Sequence, residues 1–218
     1  YPIDFLVPVL VPLNLALSSY IVFRGWRSID HSELWGRILP FAGAGLAVGI
    51  AVFTFLNGSW LKLVYGAFVF CLSAVELARM RKSRGDAPPV AVRLSAIKSA
   101  PWLLLGGAIQ GMYASGGPLI VYYAGRAITD KTRFRSTLSA LWLVLNIFVM
   151  SGFLLNGKAG AATFKIDLIL VPALLIGIVA GDALHKRIQE RAFRVFVYVL
   201  LTVAGLSLAV KTALEIFC

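Results

Sequence analysis

Long runs of uncharged, mostly apolar residues recur along the whole chain and are separated by short polar loops. These uncharged stretches are residues 5–23, 38–61, 63–75, 99–125, 136–157, 168–181 and 195–210. A helix needs about 20 apolar residues to cross the hydrocarbon core of a bilayer, and charged residues that flank the shorter stretches can snorkel from helix ends. The pattern predicts spanning helices near 4–23, 37–56, 60–80, 136–156, 166–186 and 192–213.

The stretch 99–125 differs from the others because glycine and proline interrupt it. Gly111, Gly116, Gly117 and Pro118 fall within eight residues, and this composition disfavours a continuous helix. Ser99 as a cap and Pro101 in the first turn predict where its first helix begins. In hydrocarbon, the backbone groups freed by a break must be satisfied by protein or must line a polar cavity. An interrupted apolar segment therefore indicates a transporter binding site.

A gapless offset of 132 residues aligns the two parts of the chain. The aligned pairs are Asn14 and Asn146, Gly25 and Gly157, Pro40 and Pro172, Gly45 and Gly177, Gly49 and Gly181, and Lys62 and Arg194. This register predicts a first repeat at 1–80, a cytoplasmic connector at 81–98 and a second repeat at 99–218. The first-repeat counterpart of 101–118 would precede Tyr1, so either the chain lacks that segment or its first half is natively shorter.

Composition agrees with a membrane protein. The chain is 59% hydrophobic and 14% charged, with a mean hydropathy of +0.84, whereas soluble domains have about 45–50% apolar and about 25% charged residues. The net charge of +11 comes from short basic clusters between apolar runs, as in juxtamembrane loops. We therefore expect an all-α integral membrane protein with lipid as its surroundings and no nucleic-acid partner.

The distribution of basic residues favours a re-entrant 99–125 segment. If this segment crossed the membrane, the loops would place 12 Lys and Arg on one side and 9 on the other. If it enters and leaves on one side, only Lys62, Lys158, Lys165 and Lys211 lie on the opposite side, and the other 17 lie together. The positive-inside rule prefers the second division. Each repeat then has three crossings, so the two repeats are predicted to be inverted.

The run from Gly107 to Tyr123, with sequence GAIQGMYASGGPLIVYY, resembles the second-half glycine motif of the TauE/SafE family of sulfite-exporter-like permeases. The basic loop after it, the run from Phe134 to Leu141 and Asn146 fit the same family, and residues 24–40 look like its first-half loop. The resemblance implies a multi-pass permease of the bacterial inner membrane that moves sulfite, sulfonates, thiosulfate or related organic anions. The family's first half normally opens with its own glycine-rich helix, and this chain begins after that point.

The predicted substrate site is the break itself. Its first-choice contacts are Gln110, Gly111, Ser115, Gly116, Gly117 and Pro118. An oxyanion needs convergent N–H or O–H donors, and glycine lets a backbone approach without an intervening side chain. A helix that restarts near Pro118 adds a positive dipole end. The alternative is that these glycines only allow close helix packing.

Further polar residues are candidates for the same site. Asn146 and its repeat counterpart Asn14 either flank the substrate or form a hydrogen bond across helices, and Tyr113 could offer a hydroxyl group. Arg126 and Arg135 could draw anions to the entrance, or they could be ordinary positive-inside residues. Glu76 and Asp182 are candidates for proton coupling, with ion pairs to nearby arginines as the alternative.

Two other classes of function are alternatives to a transporter. A non-transporting membrane scaffold has the same composition. An intramembrane enzyme would need a base beside Ser115, but the two histidines, His31 and His185, are predicted near the aqueous boundary and no HExxH pair occurs. We expect a small anionic substrate, no cofactor and no metal; the sequence leaves self-association into a homo-oligomer open.

The charge distribution makes a prediction about sidedness. In a cysteine-free background, single cysteines at Ser83 and Thr129 should both react with a membrane-impermeant thiol reagent from the cytoplasmic side, because the connector and the basic loop after 125 carry the positive-inside charge. Labelling of inverted and right-side-out vesicles measures this. Opposite accessibility at the two positions would mean that 99–125 crosses the membrane.

Overall fold

The computed structural model describes residues 3–53, 59–82, 95–113, 117–157 and 159–217, and these are helical almost throughout, without a strand. The α-helices are α1 Ile3–Gly25, α2 His31–Glu33, α3 Leu39–Phe53, α4 Ser59–Lys82, α5 Ala96–Tyr113, α6 Gly117–Ala127, α7 Lys131–Leu155, α8 Ala161–Arg187 and α9 Glu190–Phe217. A 3-10 turn at Trp26–Ser28 precedes α2, and a π turn at Leu34–Ile38 joins α2 to α3. This π turn lies just before Pro40, whose ring and missing N–H disturb regular helix bonding one turn earlier.

Six helical runs within the described residues are long and apolar enough to cross a membrane. They are Val7–Ser28, His31–Ala51, Leu63–Met80, Lys131–Leu155, Thr163–Arg187 and Glu190–Ile216. Each coincides with one of the six spans expected from the sequence, and the prediction of an all-α integral membrane protein is confirmed. The remaining helices α5 and α6, with 18 and 11 residues, come from the interrupted segment.

Large apolar side chains cover much of the protein surface. On α8, Leu168, Ile169, Ile176 and Val179 are each more than 70% exposed. A soluble protein rarely exposes a continuous apolar surface of this kind. In a bilayer the same side chains contact lipid, so this face of α8 is consistent with a spanning helix.

The helices form two compact units. Unit 1 consists of Tyr1–Gly43 and Asp130–Ile188, and unit 2 consists of Ala44–Thr129 and Gln189–Cys218. Each unit therefore combines helices from both parts of the sequence. The division into repeats at 1–80 and 99–218 stays a prediction about the sequence, and residues 83–94 of its connector lie outside the described residues.

Unit 1 is built on an antiparallel pair, α1 and α7. Asn14 bonds to Asn146, while Gly25, nearer the end of α1, lies against Ser136 near the start of α7. A Cβ at Gly25 would overlap the Ser136 hydroxyl oxygen, so the two helices approach closely there. Its aligned residue Gly157 instead adopts a φ of 66° in the turn after α7, a conformation that favours glycine.

Unit 2 contains a second antiparallel pair, α4 and α9. Gly66 of α4 lies against Ala209, and Gly205 lies against Phe70, so residue numbers rise along one helix as they fall along the other. Both pairs, α1 with α7 and α4 with α9, join helices that the 132-residue offset relates. An inverted duplication would give this arrangement; the duplication itself stays a prediction.

In unit 2, helix α5 packs on α3 through glycine backbone. A Cβ at Gly45 would overlap the Leu104 carbonyl oxygen, and a Cβ at Gly49 would overlap that of Ala108. From the other side, Gly111 faces the Leu46 carbonyl and the Ile50 amide. The residue numbers in these contacts rise together along both helices, so α3 and α5 run parallel. Small residues bring the two backbones together, as is usual in membranes.

Helix α5 begins earlier than the sequence suggested. Ser95, whose carbonyl oxygen accepts from the amides of Lys98 and Ser99, precedes the first turn, and the helix starts at Ala96. The expectation that Ser99 caps this helix is wrong because Ser95 takes that position. Ser99 is instead fully buried within the helix.

The glycine contacts generate a prediction with a matched control. Gly49→Ala should destabilise the protein by about 1–3 kcal/mol, because the added methyl group forces α3 away from the Ala108 backbone. Gly181→Ala, at the aligned position of α8, meets nothing within 4 Å and should be neutral or stabilise by up to about 1 kcal/mol through helix propensity. Thermal unfolding of the purified protein in detergent measures both. Equal effects would contradict the close packing of α3 and α5.

Candidate functional site

Helices α5 and α6 form a hairpin. The rings of Trp102, in the first half of α5, and Tyr122, in α6, have centroids 4.8 Å apart. If α6 continued in the direction of α5, the 20 residues between them would separate the two rings by about 30 Å. Helix α6 therefore folds back along α5, and we call the end of this hairpin where α5 ends, at Tyr113, and α6 begins, at Gly117, its tip.

The hairpin begins and ends at the same end of unit 2. Arg191 and Arg194, both in the first turns of α9, donate to the Met80 carbonyl oxygen at 3.3 Å and to the Thr129 carbonyl oxygen at 2.8 Å. Met80 lies near the end of α4 and Thr129 follows α6. With 11 residues, α6 is about 16 Å long, roughly half the thickness of the hydrocarbon core.

Helix α4 holds both limbs of the hairpin. Phe68 stacks on Trp102 of α5, with ring centroids 6.1 Å apart. Tyr65 and Val69 form a buried apolar cluster with Leu119 of α6. Together with the glycine contacts between α5 and α3, these interactions hold both limbs of the hairpin by packing.

A partly buried ion pair adds a polar attachment at the end of α6. Arg126 binds the Glu76 carboxylate of α4, which also accepts from Arg79 at 3.2 Å. The Arg126 guanidinium lies 4.8 Å from the centre of the Tyr122 ring, in cation–π geometry. Glu76 is thus paired with two arginines. This agrees with the ion pairs that were the alternative to a role in proton coupling.

The residues expected at the break are placed as follows. Gln110 is only 4% exposed and, like Gly111 against α3, lies on the packed side of the hairpin. Tyr113 is the last residue of α5, and Gly117 and Pro118 begin α6. Ser115 and Gly116 lie outside the described residues, and their roles stay predictions.

Asn14 and Asn146 contact each other in unit 1. The Asn146 side-chain nitrogen donates to Asn14 Oδ1 at 2.9 Å, and the Ser18 hydroxyl donates to the same oxygen at 3.1 Å. Asn146 is buried, whereas Asn14 is exposed although it lies in the middle of a spanning helix. The bond across helices predicted for this pair is therefore present, and one of its two amides remains accessible.

Arg135 belongs to a charged network that joins three helices of unit 1. It donates to Asp182 Oδ1 of α8 at 2.6 Å, while Tyr20 of α1 donates to Asp182 Oδ2 at 2.8 Å. Arg24 lies 3.4 Å from the same carboxylate. Because Arg126 and Arg135 are both paired with carboxylates, neighbouring negative charge offsets the positive field of each.

The role of Tyr20 was not anticipated from the sequence. Tyr20 and Arg24 lie one helical turn apart, so both can reach one acceptor, but nothing local indicates that this acceptor is Asp182. Asp182, like Glu76, forms ion pairs with arginine rather than standing alone. Among the described residues, no group of three or more His, Cys, Asp or Glu side chains could hold a metal ion.

In the described part of the chain, six helices long and apolar enough to cross a membrane, together with a packed hairpin, are typical of a polytopic membrane protein. The family model for the sulfite exporter TauE/SafE matches residues 1–208. A relative from Comamonas testosteroni, described as a probable inner membrane transporter protein TsaS, is 24% identical over 184 residues, which cover 84% of this chain and 72% of the relative. No solved structure matches.

The chain belongs to the TauE/SafE family. It is a multi-pass protein of the inner membrane and a membrane transporter of anions. The resemblance found in the glycine motif is thereby confirmed over nearly the whole length. Both comparisons indicate transport rather than catalysis.

The attachment of α6 can be tested by a double-mutant cycle. Glu76→Gln should destabilise the protein by about 3 kcal/mol, because the partly buried Arg126 then loses its carboxylate. Arg126→Gln should cost less, because Arg79 still pairs with Glu76. The double variant, with glutamine at both positions, should lose clearly less than the sum of the two single losses.

The control for this cycle is the Lys211–Glu215 pair of α9, which is exposed and has a separation of 4.0 Å. Its coupling should be about 0.3–0.5 kcal/mol. Thermal unfolding in detergent gives both cycles. Additive losses at Glu76 and Arg126 would show that the pair does not hold the hairpin.

Proposed function

We propose that this transporter carries a small oxyanion, such as sulfite, a sulfonate, thiosulfate or a related organic anion, and that the anion binds at the tip of the α5–α6 hairpin. The single observation that supports the site is the fold-back of α6 along α5, given by the contact between Trp102 and Tyr122. The description of the family, which names sulfite, supports the substrate class.

The chemistry of the tip suits an anion. Helix α6 begins at Gly117, and the first N–H groups of a helix have no acceptor within that helix. The aligned peptide dipoles also place partial positive charge at this end. A bound oxyanion can accept from these groups, as phosphate does at helix N-termini.

The packing of the hairpin makes these donors pre-organised. Gly111 fixes the end of α5 against α3, and Leu119 fixes the start of α6 against Tyr65 and Val69. Donors held in place need no ordering when the anion arrives, which lowers the cost of binding. Glycine at positions 116 and 117 keeps side chains out of the approach to the backbone.

We further propose that the Asn14–Asn146 pair contributes donors to the transport path. Asn14 is exposed in the middle of the Val7–Ser28 span, and polar side chains at such depth usually face a partner or a water-filled cavity. Its Oδ1 already accepts from Asn146 and Ser18, which leaves its N–H groups available to an anion.

The direct test uses the purified chain reconstituted in vesicles, with binding measured in parallel in detergent. Sulfite, thiosulfate and short sulfonates should be taken up and should bind. Uptake and binding of carboxylates of similar size are measured for comparison with the sulfonates. Protein-free vesicles provide the background. If no anion produces flux or binding above that background, the scaffold interpretation replaces this proposal.

Substitutions at the tip should impair transport in a defined order. Gly116→Val should be the most severe, because it adds bulk and restricts the backbone where the donors converge. Ser115→Ala should remove one neutral hydrogen bond, which is worth about 0.5–1.5 kcal/mol, or up to about tenfold in affinity. Uptake and anion binding are measured at matched membrane expression.

Two variants outside the hairpin are the controls. Gly177→Val places the same side chain on α8 where nothing lies within 4 Å, and Ser151→Ala removes a hydroxyl that bonds only the Ile147 carbonyl of its own helix. Both should transport like the unmodified chain. Normal uptake and binding by Gly116→Val would show that the break is a packing feature and that the site lies elsewhere.

A further inference from the structure

A short connection between two spanning helices carries an exposed aromatic strip. We call residues 23–37 the elbow: they join the end of the Val7–Ser28 span to the start of the His31–Ala51 span. Phe23, Trp26 and Trp35 are 88%, 60% and 59% exposed. The Trp26 ring lies edge-on to His31 at 5.7 Å, and Trp35 follows His31 by one helical turn, so Trp26 and Trp35 lie on one side of the elbow.

The opposite side of the elbow is tied firmly to α7. The Asp30 amide donates to the Thr137 hydroxyl at 2.8 Å, and the Asp30 carboxylate pairs with Arg133 at 3.3 Å. The same carboxylate caps α2 by accepting from the Glu33 amide at 3.1 Å. Ile29 and Leu34 are buried beside it. The exposed aromatic strip therefore belongs to an ordered segment and not to a loose loop.

The charges of the elbow are divided between its two sides. Its acids, Asp30 and Glu33, are buried and paired with Arg133 and Arg37. Arg27 is exposed, and within the described part of the chain it has neither an ion pair nor a side-chain hydrogen bond. The exposed surface of the elbow thus carries the positive charge of Arg27, and no carboxylate among the described residues pairs with it.

The position of the elbow identifies what it meets. Both spans that it joins end at the membrane boundary, where tryptophan is enriched because its ring is apolar and its N–H is polar. Basic side chains at this level are attracted to anionic lipids. The exposed Arg27 guanidinium follows the exposed Trp26 indole directly in the sequence, so the elbow combines a phosphate-binding group with side chains suited to the glycerol and upper acyl region.

We propose that the elbow is a binding site for an anionic phospholipid headgroup. The Arg27 guanidinium binds the phosphate, the indoles of Trp26 and Trp35 flank the glycerol region, and Phe23 contacts the start of an acyl chain. The net negative charge of the headgroup distinguishes the ligand from zwitterionic lipid, which has the same phosphate but no net charge.

The test is native mass spectrometry of the purified full chain titrated with phosphatidylglycerol or phosphatidylcholine. The unmodified chain should retain phosphatidylglycerol preferentially. Arg27→Gln should reduce that preference about fivefold, the contribution of one basic side chain near an anionic surface. Lys186→Gln, at an exposed position near the end of α8, removes the same charge elsewhere in unit 1 and should change the preference less than about twofold.

Three results would overturn the proposal. Equal losses in Arg27→Gln and Lys186→Gln would show a diffuse attraction without a site at the elbow. Equal retention of the two lipids by the unmodified chain would show that the headgroup charge is not recognised. Displacement of the lipid by millimolar inorganic phosphate would assign the site to a free anion. Size-exclusion profiles of both variants establish that they remain folded.

Discussion

The need to satisfy every backbone N–H and C=O group in hydrocarbon governs this structure. Each unsatisfied group costs several kcal/mol, so the chain crosses the membrane only as helix. The interrupted segment is the exception, and it is folded back and packed on two sides. Gly45, Gly49 and Gly111 bring α5 against α3, while Phe68 and Glu76 of α4 hold the two limbs. A break of this kind is tolerated where protein, water or a bound anion can serve the freed groups.

Glycines that align at the 132-residue offset serve different purposes in the structure. Gly49 and Gly181 align at an offset of 132 residues, yet Gly49 contacts the α5 backbone and Gly181 faces open space. Gly25 allows close approach of α7, whereas Gly157 provides a turn with positive φ. The antiparallel pairing of α1 with α7 and of α4 with α9 is what inverted copies would produce. Residues that align at this offset therefore need not make the same contact.

Two acidic residues in the spanning helices hold other helices in place. Glu76 and Asp182 each bind more than one arginine and join helices that are distant in sequence. Their pairing keeps buried charge compensated, and it places Arg126 and Arg135 in the scaffold rather than leaving them as free positive charges. Arg27 is different because the acids of the elbow are already paired with other arginines. The unpaired charge lies at the membrane boundary, where a lipid headgroup can complement it.

The spans and the position of the break follow from the sequence alone, because the free energy of transferring a side chain into lipid and the conformational limits of glycine and proline are local properties. The glycine motif also indicated the family. The tertiary structure alone decided that Trp102 meets Tyr122 and that Glu76 pairs with Arg126, and it decided that the Asn14–Asn146 bond, one of two alternatives from the sequence, forms. The partners in these contacts are 20, 132 and 50 residues apart, and many arginines and amides could have filled the same roles. Which pair forms depends on how helices pack, and that is a property of the whole fold.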